Sequence, residues 1–236
     1  MTKDRFDFKQ FSIDQTNAAF KVGTDGCLLG AWTDVSACTR ILDIGTGSGV
    51  ISLMLAQRSH AHIKSIDIDR LSAQQAANNA KASPWSSQIE VAHRSLAQQA
   101  ELAETFDLIV CNPPFFKHSS LSGDVRKDAA RHEEQLGLDQ LLRVSKRVAS
   151  PSARLCLVIP VDRWPELETL AIRNEWHLAK RVTIQPVRAK NPNRLLLEFR
   201  LHVPEIIDEE SWLLYDPHPT YSGVVCRMLE PYYMHL

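Results

Sequence analysis

Two stretches of this chain hold side chains that could do chemistry together. The first is Asn112-Pro113-Pro114-Phe115. It follows an apolar run, Phe106 to Cys111, that reads as a buried parallel strand. Proline cannot donate to a strand ladder, so Pro113 and Pro114 end that strand. An amide, a rigid rim and an aromatic ring are thereby set at a carboxyl strand end, where ligands sit in open α/β sheets. An ordinary strand-ending loop would have the same composition, so the stretch needs a facing cofactor site. The second stretch, Asp43-Ile44-Gly45-Thr46-Gly47-Ser48-Gly49, follows a short apolar strand from Arg40 to Ile44 and opens a helix, Val50 to Gln57. A dinucleotide fingerprint would place its glycines at the positions of Gly45, Gly47 and Val50. The third glycine is instead Gly49, and no Gly-Lys-Ser/Thr follows, so a pyrophosphate is poorly served. The carboxylate of Asp43 suits a cationic ligand better.

A third acid completes the pattern. The next predicted strand, Ile63 to Ile68, carries Asp67, 18 residues beyond Gly49, where a ribose can be held by its hydroxyls. The other reading of Asp67 is a strand-end turn residue. Ile68 can pack on an adenine face, Asp69 can cap the helix from Leu71 to Lys81, and Ser95 follows a third strand, Gln88 to Ala92. An adenosine with a cationic tail fits this set, and S-adenosyl-L-methionine is such a ligand. Asn112 and the Pro113 carbonyl could then hold an exocyclic amine by its hydrogens, localising its lone pair toward a methyl sulfonium. Phe115 could stack the base, which must be unpaired to enter. Orientation would supply most of the acceleration, with no strong base.

The elements that must position these residues read as β-α repeats. Beyond the long polar loop from Lys117 to Glu134 come a helix (Leu136–Ala149), a strand (Arg154–Pro160), a helix (Trp164–Arg173) and two strands (Trp176–Gln185, Arg194–His202) around the basic connector Pro186–Asn193. The expected fold is a Rossmann-like α/β domain: a mostly parallel seven-stranded sheet with one antiparallel strand and helices on both faces. One domain spans 1–236, with an N-terminal extension (about 1–35) and a helical C-terminal tail (about 205–236). Near the start, Thr24 or Asp25 is the expected N-cap of a short apolar helix.

With 236 residues, 44% of them hydrophobic, the chain can bury one sizeable core. Its five cysteines show no paired or zinc-like spacing, so neither a disulfide frame nor a metal is expected. No apolar stretch approaches a membrane span and no signal peptide is evident, which points to the cytoplasm. Net charge is −1, yet residues 112–200 carry +6 while the flanks are negative. Such a surplus fits a polyanion; uneven charge on solvated faces would look the same. A monomer is the default expectation.

The glycine loop followed by Asn112-Pro113-Pro114-Phe115 resembles the class I S-adenosylmethionine-dependent methyltransferases that modify amino nitrogens. More narrowly, Phe8-Lys9-Gln10-Phe11, Lys21-Val22-Gly23-Thr24-Asp25-Gly26 and Leu28-Leu29-Gly30-Ala31-Trp32 resemble the bacterial tRNA(Val) adenine-N6 methyltransferase family. So do Ser83-Pro84-Trp85, Arg126, Arg131 and Tyr221-Ser222. The resemblance covers most of the chain and implies methylation of the adenosine 3′ of the anticodon in a valine tRNA. It implies that Gly45, Gly47 and Gly49 wrap the cofactor, Asp67 holds its ribose, and Thr24 and Asp25 lie near its methionine end. Asn112, Pro113 and Phe115 would hold the adenine. Where such families place an acid for the cofactor adenine, this chain has Ser95. Arg126, Lys127, Arg131, Arg188 and Lys190 are the expected RNA contacts, on the anticodon loop. Methylation of an rRNA guanine or adenine or of a protein glutamine, or a silent RNA-binding module, are the competing readings.

Overall fold

Why the two chemical stretches meet is a matter of strand order. The structure, a computed structural model, describes residues 4–114 and 137–236. A hairpin of β1 (Arg5–Asp7) and β2 (Ser12–Asp14) precedes α1 (Thr24–Trp32). Then come β3 (Arg40–Ile44), α2 (Val50–Ala56), β4 (His62–Asp67), α3 (Arg70–Lys81), β5 (Ile89–His93), α4 (Leu96–Ala100) and β6 (Phe106–Cys111). The second half holds α5 (Leu138–Arg147), β7 (Ala149–Pro160), α6 (Trp164–Arg173), β8 (His177–Gln185), β9 (Arg194–Arg200), β10 (Asp208–Leu213) and α7 (Gly223–Leu229).

The main sheet runs β10-β8-β9-β7-β6-β3-β4-β5. All neighbours are parallel except β9, which runs against both β7 and β8. The mostly parallel sheet and its one reversed strand are as the sequence implied. The count is eight strands, not seven. The extra strand, β10, comes from the stretch read as a helical tail. Its sequence, Asp-Glu-Glu-Ser-Trp-Leu, has no apolar alternation because it forms the sheet edge and is held by its backbone to β8.

The interior strands read as continuous apolar runs because both faces are covered. Leu108 and Val110 of β6 and Ile41 of β3 pack with Leu28, Leu29, Leu53 and Leu229 of α1, α2 and α7. Ile109, Cys111, Leu42 and Ile44 face the other way, onto Leu141 and Leu142 of α5 and Leu167 of α6. Buried Trp176 donates its indole N–H to the Leu142 carbonyl at 3.0 Å, tying α5 to the start of β8. The chain ends are also tied together. Lys9 donates its N–H to the Tyr232 carbonyl at 2.7 Å, and the Tyr232 hydroxyl reaches the Met54 carbonyl at 3.2 Å.

The helix start at α1 differs from expectation. Its N-cap is Gly23, in extended conformation, and no side chain caps it. Thr24 and Asp25 already lie in the first turn. Their side chains have other partners: Thr24 lies against the Tyr221 hydroxyl, and Asp25 pairs with Arg194. No helix among the described residues is long and apolar enough to cross a membrane.

Candidate active site

From β3 the chain steps outward to β4 and β5 on one side, then returns to lay β6 against β3 on the other. This reversal of strand order opens a crevice at the carboxyl ends of β3 and β6. Ile44 and Cys111 are register partners, so the loop after Ile44 and the loop after Cys111 leave the sheet side by side. The crevice is a cavity of about 400 Å³. Its wall contains Asp25, Gly45, Gly47, Asp67, Ile68, Ser95, Asn112, Pro113 and Pro114. Three expected cofactor residues, Thr24, Asp43 and Gly49, do not line that wall. Arg188 and Lys190 sit on the connector between β8 and β9. Phe115, Arg126, Lys127 and Arg131 lie outside the described residues.

All three loop glycines have positive φ, which disfavours any other residue, but they serve different ends. A methyl added at Gly45 or Gly47 would meet nothing within 4 Å, so their bare faces are open toward the cavity. At Gly49 the same methyl would lie 3.4 Å from Cα of Ala76, so this glycine lets α3 approach the loop. Asp43 supports the loop from beneath. Fully buried, it accepts from the Thr46 hydroxyl at 2.7 Å and the Ser52 hydroxyl at 2.6 Å. Burial raises its carboxyl above the usual range.

Asp67 accepts at one oxygen from the Gly47 N–H (2.7 Å) and at the other from the Asp69 N–H (2.9 Å). Each oxygen keeps acceptor capacity for a ligand hydroxyl. Burial pushes its pKa up to about 6, against those two bonds. Ile68 beside it is 40% exposed, an apolar surface for a flat ring. Ser95 caps α4: its hydroxyl accepts from the Gln98 N–H at 3.2 Å, and Gln98 returns a bond to the Ser95 N–H at 2.9 Å. Among the described residues no acceptor takes the Ser95 hydroxyl proton.

On the acceptor side, Asn112 is half-buried, Pro113 buried and Pro114 exposed. The Asn112 side chain makes no hydrogen bond among the described residues. Its nitrogen lies next to α1, 3.6 Å from where a methyl on Gly26 would be. Cys111 is buried, and burial drives its thiol strongly upward, so it stays protonated and unreactive.

Sequence reasoning missed Arg194, Gly26 and Ser72 in the wall. Arg194 is the notable one. Its Nε donates to Asp25 Oδ2 at 2.7 Å and its Nη1 to the Asn193 carbonyl at 3.0 Å. The charge and a reversed strand were both visible in the sequence; the place of β9 beside β7, which brings its first residue to the site, was not. Nearby, Arg188 pairs with Asp216 at 2.8 Å, and Tyr215 stacks on Tyr221 with ring centres 5.1 Å apart.

Residues 23–140 match the family described as Methyltransferase small domain. The tRNA1(Val) (adenine(37)-N6)-methyltransferase of Tolumonas auensis is 37% identical over 98% of this chain and 97% of its own. That of Porphyromonas gingivalis is 40% identical over 99% and 96%. Among solved structures, a predicted O-methyltransferase from Agrobacterium tumefaciens superposes with a TM-score of 0.67 at 17% identity, covering 88% of this chain and 96% of that one. The T. thermophilus 16S rRNA N2 G1207 methyltransferase, in complex with AdoMet and guanosine, gives 0.56 at 19% identity over 81% and 47%. Those two show the fold. With near full-length identity to the curated relatives, the chain belongs to the tRNA1(Val) (adenine(37)-N6)-methyltransferase family.

Proposed function

We propose that this protein transfers the methyl group of S-adenosylmethionine to N6 of adenosine 37 in a valine tRNA. The observation that carries the proposal is the register of Ile44 with Cys111, which opens the glycine loop and Asn112–Pro114 into one crevice. The names of the full-length relatives support the target nucleotide.

The wall fits the cofactor. Gly45 and Gly47 leave backbone open to a close-lying ligand, Asp67 offers acceptors to ribose hydroxyls, and Ile68 and Ser95 flank the place for an adenine. S-adenosylmethionine, when bound, supplies an electrophilic methyl on a sulfonium. The chain's part is to present the amine. Asn112 and the Pro113 carbonyl accept its two hydrogens, drawing them from the ring plane and localising the lone pair. The alkylated amine is cationic and acidic, so its proton is lost to water after transfer while these oxygens accept hydrogen bonds, and no dedicated base is required. Pro113 and Pro114 fix the backbone on which this depends. Phe115, by its place in the motif, stacks the base. The base must leave the anticodon-loop stack to enter. Arg188 and Lys190, with Arg126, Lys127 and Arg131, supply phosphate contacts. Such a substrate places the reaction in the cytoplasm.

The test is incubation of the purified protein with labelled cofactor and total tRNA from a strain lacking this gene, followed by nucleoside analysis. N6-methyladenosine in a valine tRNA is expected. Label in guanosine, or in protein and not RNA, would overturn the reading.

A further inference from the structure

We propose that Arg194 is the residue that takes the backbone phosphate beside the target nucleotide, with Asp25 holding its guanidinium in place. The proposal rests on the RNA reading above and names a contact that reading does not contain.

Position comes first. Arg194 is the first residue of β9 and the register partner of Pro160, the last residue of β7. β7 is in turn the neighbour of β6, whose end carries Asn112. Arg194 therefore stands on the acceptor side of the crevice, away from β4 and β5, whose ends carry Asp67 and precede Ser95. It shares the cavity wall with Asn112 and Pro113.

Its geometry is that of a prepared anion contact. Nε is fixed on Asp25 at 2.7 Å and Nη1 on the Asn193 carbonyl at 3.0 Å. Among the described residues Nη2 has no partner, and the side chain is 34% exposed. Two bonds fix the plane of the guanidinium, and the remaining N–H groups are left for an oxygen of a ligand. A planar, permanently charged fork with free donors suits phosphate. A half-exposed ion pair contributes little to stability, so folding alone is a weak reason for the pairing.

Two sources of anion are available: the RNA backbone and the carboxylate of the cofactor. Asp25 favours the RNA. It is bracketed by Gly26, beside Asn112, and by Arg194 on the other side. Its own carboxylate attracts the ammonium at the methionine end and repels the carboxylate there. Arg188 and Lys190 lie a few residues earlier on the same connector, so a polyanion following that connector arrives at Arg194.

The experiment uses the full-length protein and valine anticodon stem-loops. One has a native backbone; two others carry a neutral methylphosphonate at one or other phosphate flanking the target adenosine. Loss of a charged hydrogen bond should lower wild-type kcat/KM roughly 10- to 100-fold on one neutral stem-loop. Arg194→Met should fall by a similar factor on the native stem-loop and respond no further to the neutral phosphate. Arg194→Lys, keeping the charge without the fork, should fall in between. Asp25→Asn, which keeps its shape but loosens the guanidinium, should shrink the same backbone sensitivity. Cofactor affinity of Arg194→Met by calorimetry, expected unchanged, shows that the variant is folded. A large loss of that affinity would assign Arg194 to the cofactor carboxylate and overturn the proposal. So would equal wild-type transfer to all three stem-loops. Wild-type protein that methylates none of them overturns the RNA reading, and this inference with it.

Discussion

The Gly47 N–H donates to Asp67 Oδ2 over 2.7 Å, so the loop after β3 and the acid at the end of β4 form one unit. A ligand that meets the bare face of Gly47 also meets the carboxylate that positions it.

That unit should titrate. Asp67 is pushed up to about 6 by burial, from an ordinary 3.8. Ribose hydroxyls bond better to the charged form, so cofactor affinity should rise as pH increases through about 6. Stability runs the other way. An acid whose folded pKa is raised contributes stability that is present below the unfolded pKa and lost as pH rises through the folded one, here up to roughly 3 kcal/mol. Calorimetric titration and urea unfolding across pH ~4 to ~7 would show the two opposite slopes. Asp67→Asn should flatten both; a slope that persists in the variant assigns the titration elsewhere.

Asn112 carries the amine in the proposed reaction, yet its side chain bonds to no other described residue. Its loss should therefore leave the fold and the cofactor site intact. Asn112→Ala is expected to lower kcat by at least about 10²–10³-fold, with cofactor affinity within a few-fold. Single-turnover methylation with saturating tRNA is the measurement. A variant that turns over normally would remove Asn112 from the chemistry.

The glycines should separate by assay. Gly49→Ala combines a φ of +85° with a methyl 3.4 Å from Ala76, so it should destabilise the fold by about 1–3 kcal/mol, read as a lower urea midpoint. Gly47→Ala has open space around its methyl, so its backbone cost is nearer ~1–2 kcal/mol and its main effect should be weaker cofactor binding. Both effects appearing equally in both variants would contradict the division.

Transfer to tRNA should fall steeply with salt if the connector meets phosphates. Arg188 is exposed and, among the described residues, its side chain pairs with exposed Asp216, so Arg188→Ala should not affect folding. It should reduce the slope of log kcat/KM against log salt by about one. An unchanged slope with unchanged affinity for tRNA would place the RNA elsewhere.

Several of these residues were legible from sequence because the interior strands are. β3 and β6 are short apolar runs buried on both faces, and their bounds coincide with those read from the sequence, Arg40–Ile44 and Phe106–Cys111. The glycine loop and Asp67 follow from strand ends and so were placed. β10 was not, because an acidic edge strand has no pattern that separates it from a loop. Ser95 was put in the right neighbourhood, but its capping bond to Gln98 depends on where α4 begins. Arg194 depends on strand order. A reversed strand was expected, but only its place beside β7, two strands from β3, turns its first residue to the crevice. Asp43 was assigned to a ligand from its position before the loop; the hydroxyls of Thr46 and Ser52, from two separate elements, claim it instead.

The reversal of β9 also divides the molecule's labour along the chain. The connector 186–193 is a hairpin loop, and such a loop can lengthen, shorten or change sequence without shifting the register of the strands it joins. The crevice between β3 and β6 is formed by parallel strands and has no such freedom. If the connector makes the proposed phosphate contacts, changes in which RNA is addressed can accumulate in its few residues while the crevice stays fixed. A fold of this kind can exchange its substrate without rebuilding its chemistry.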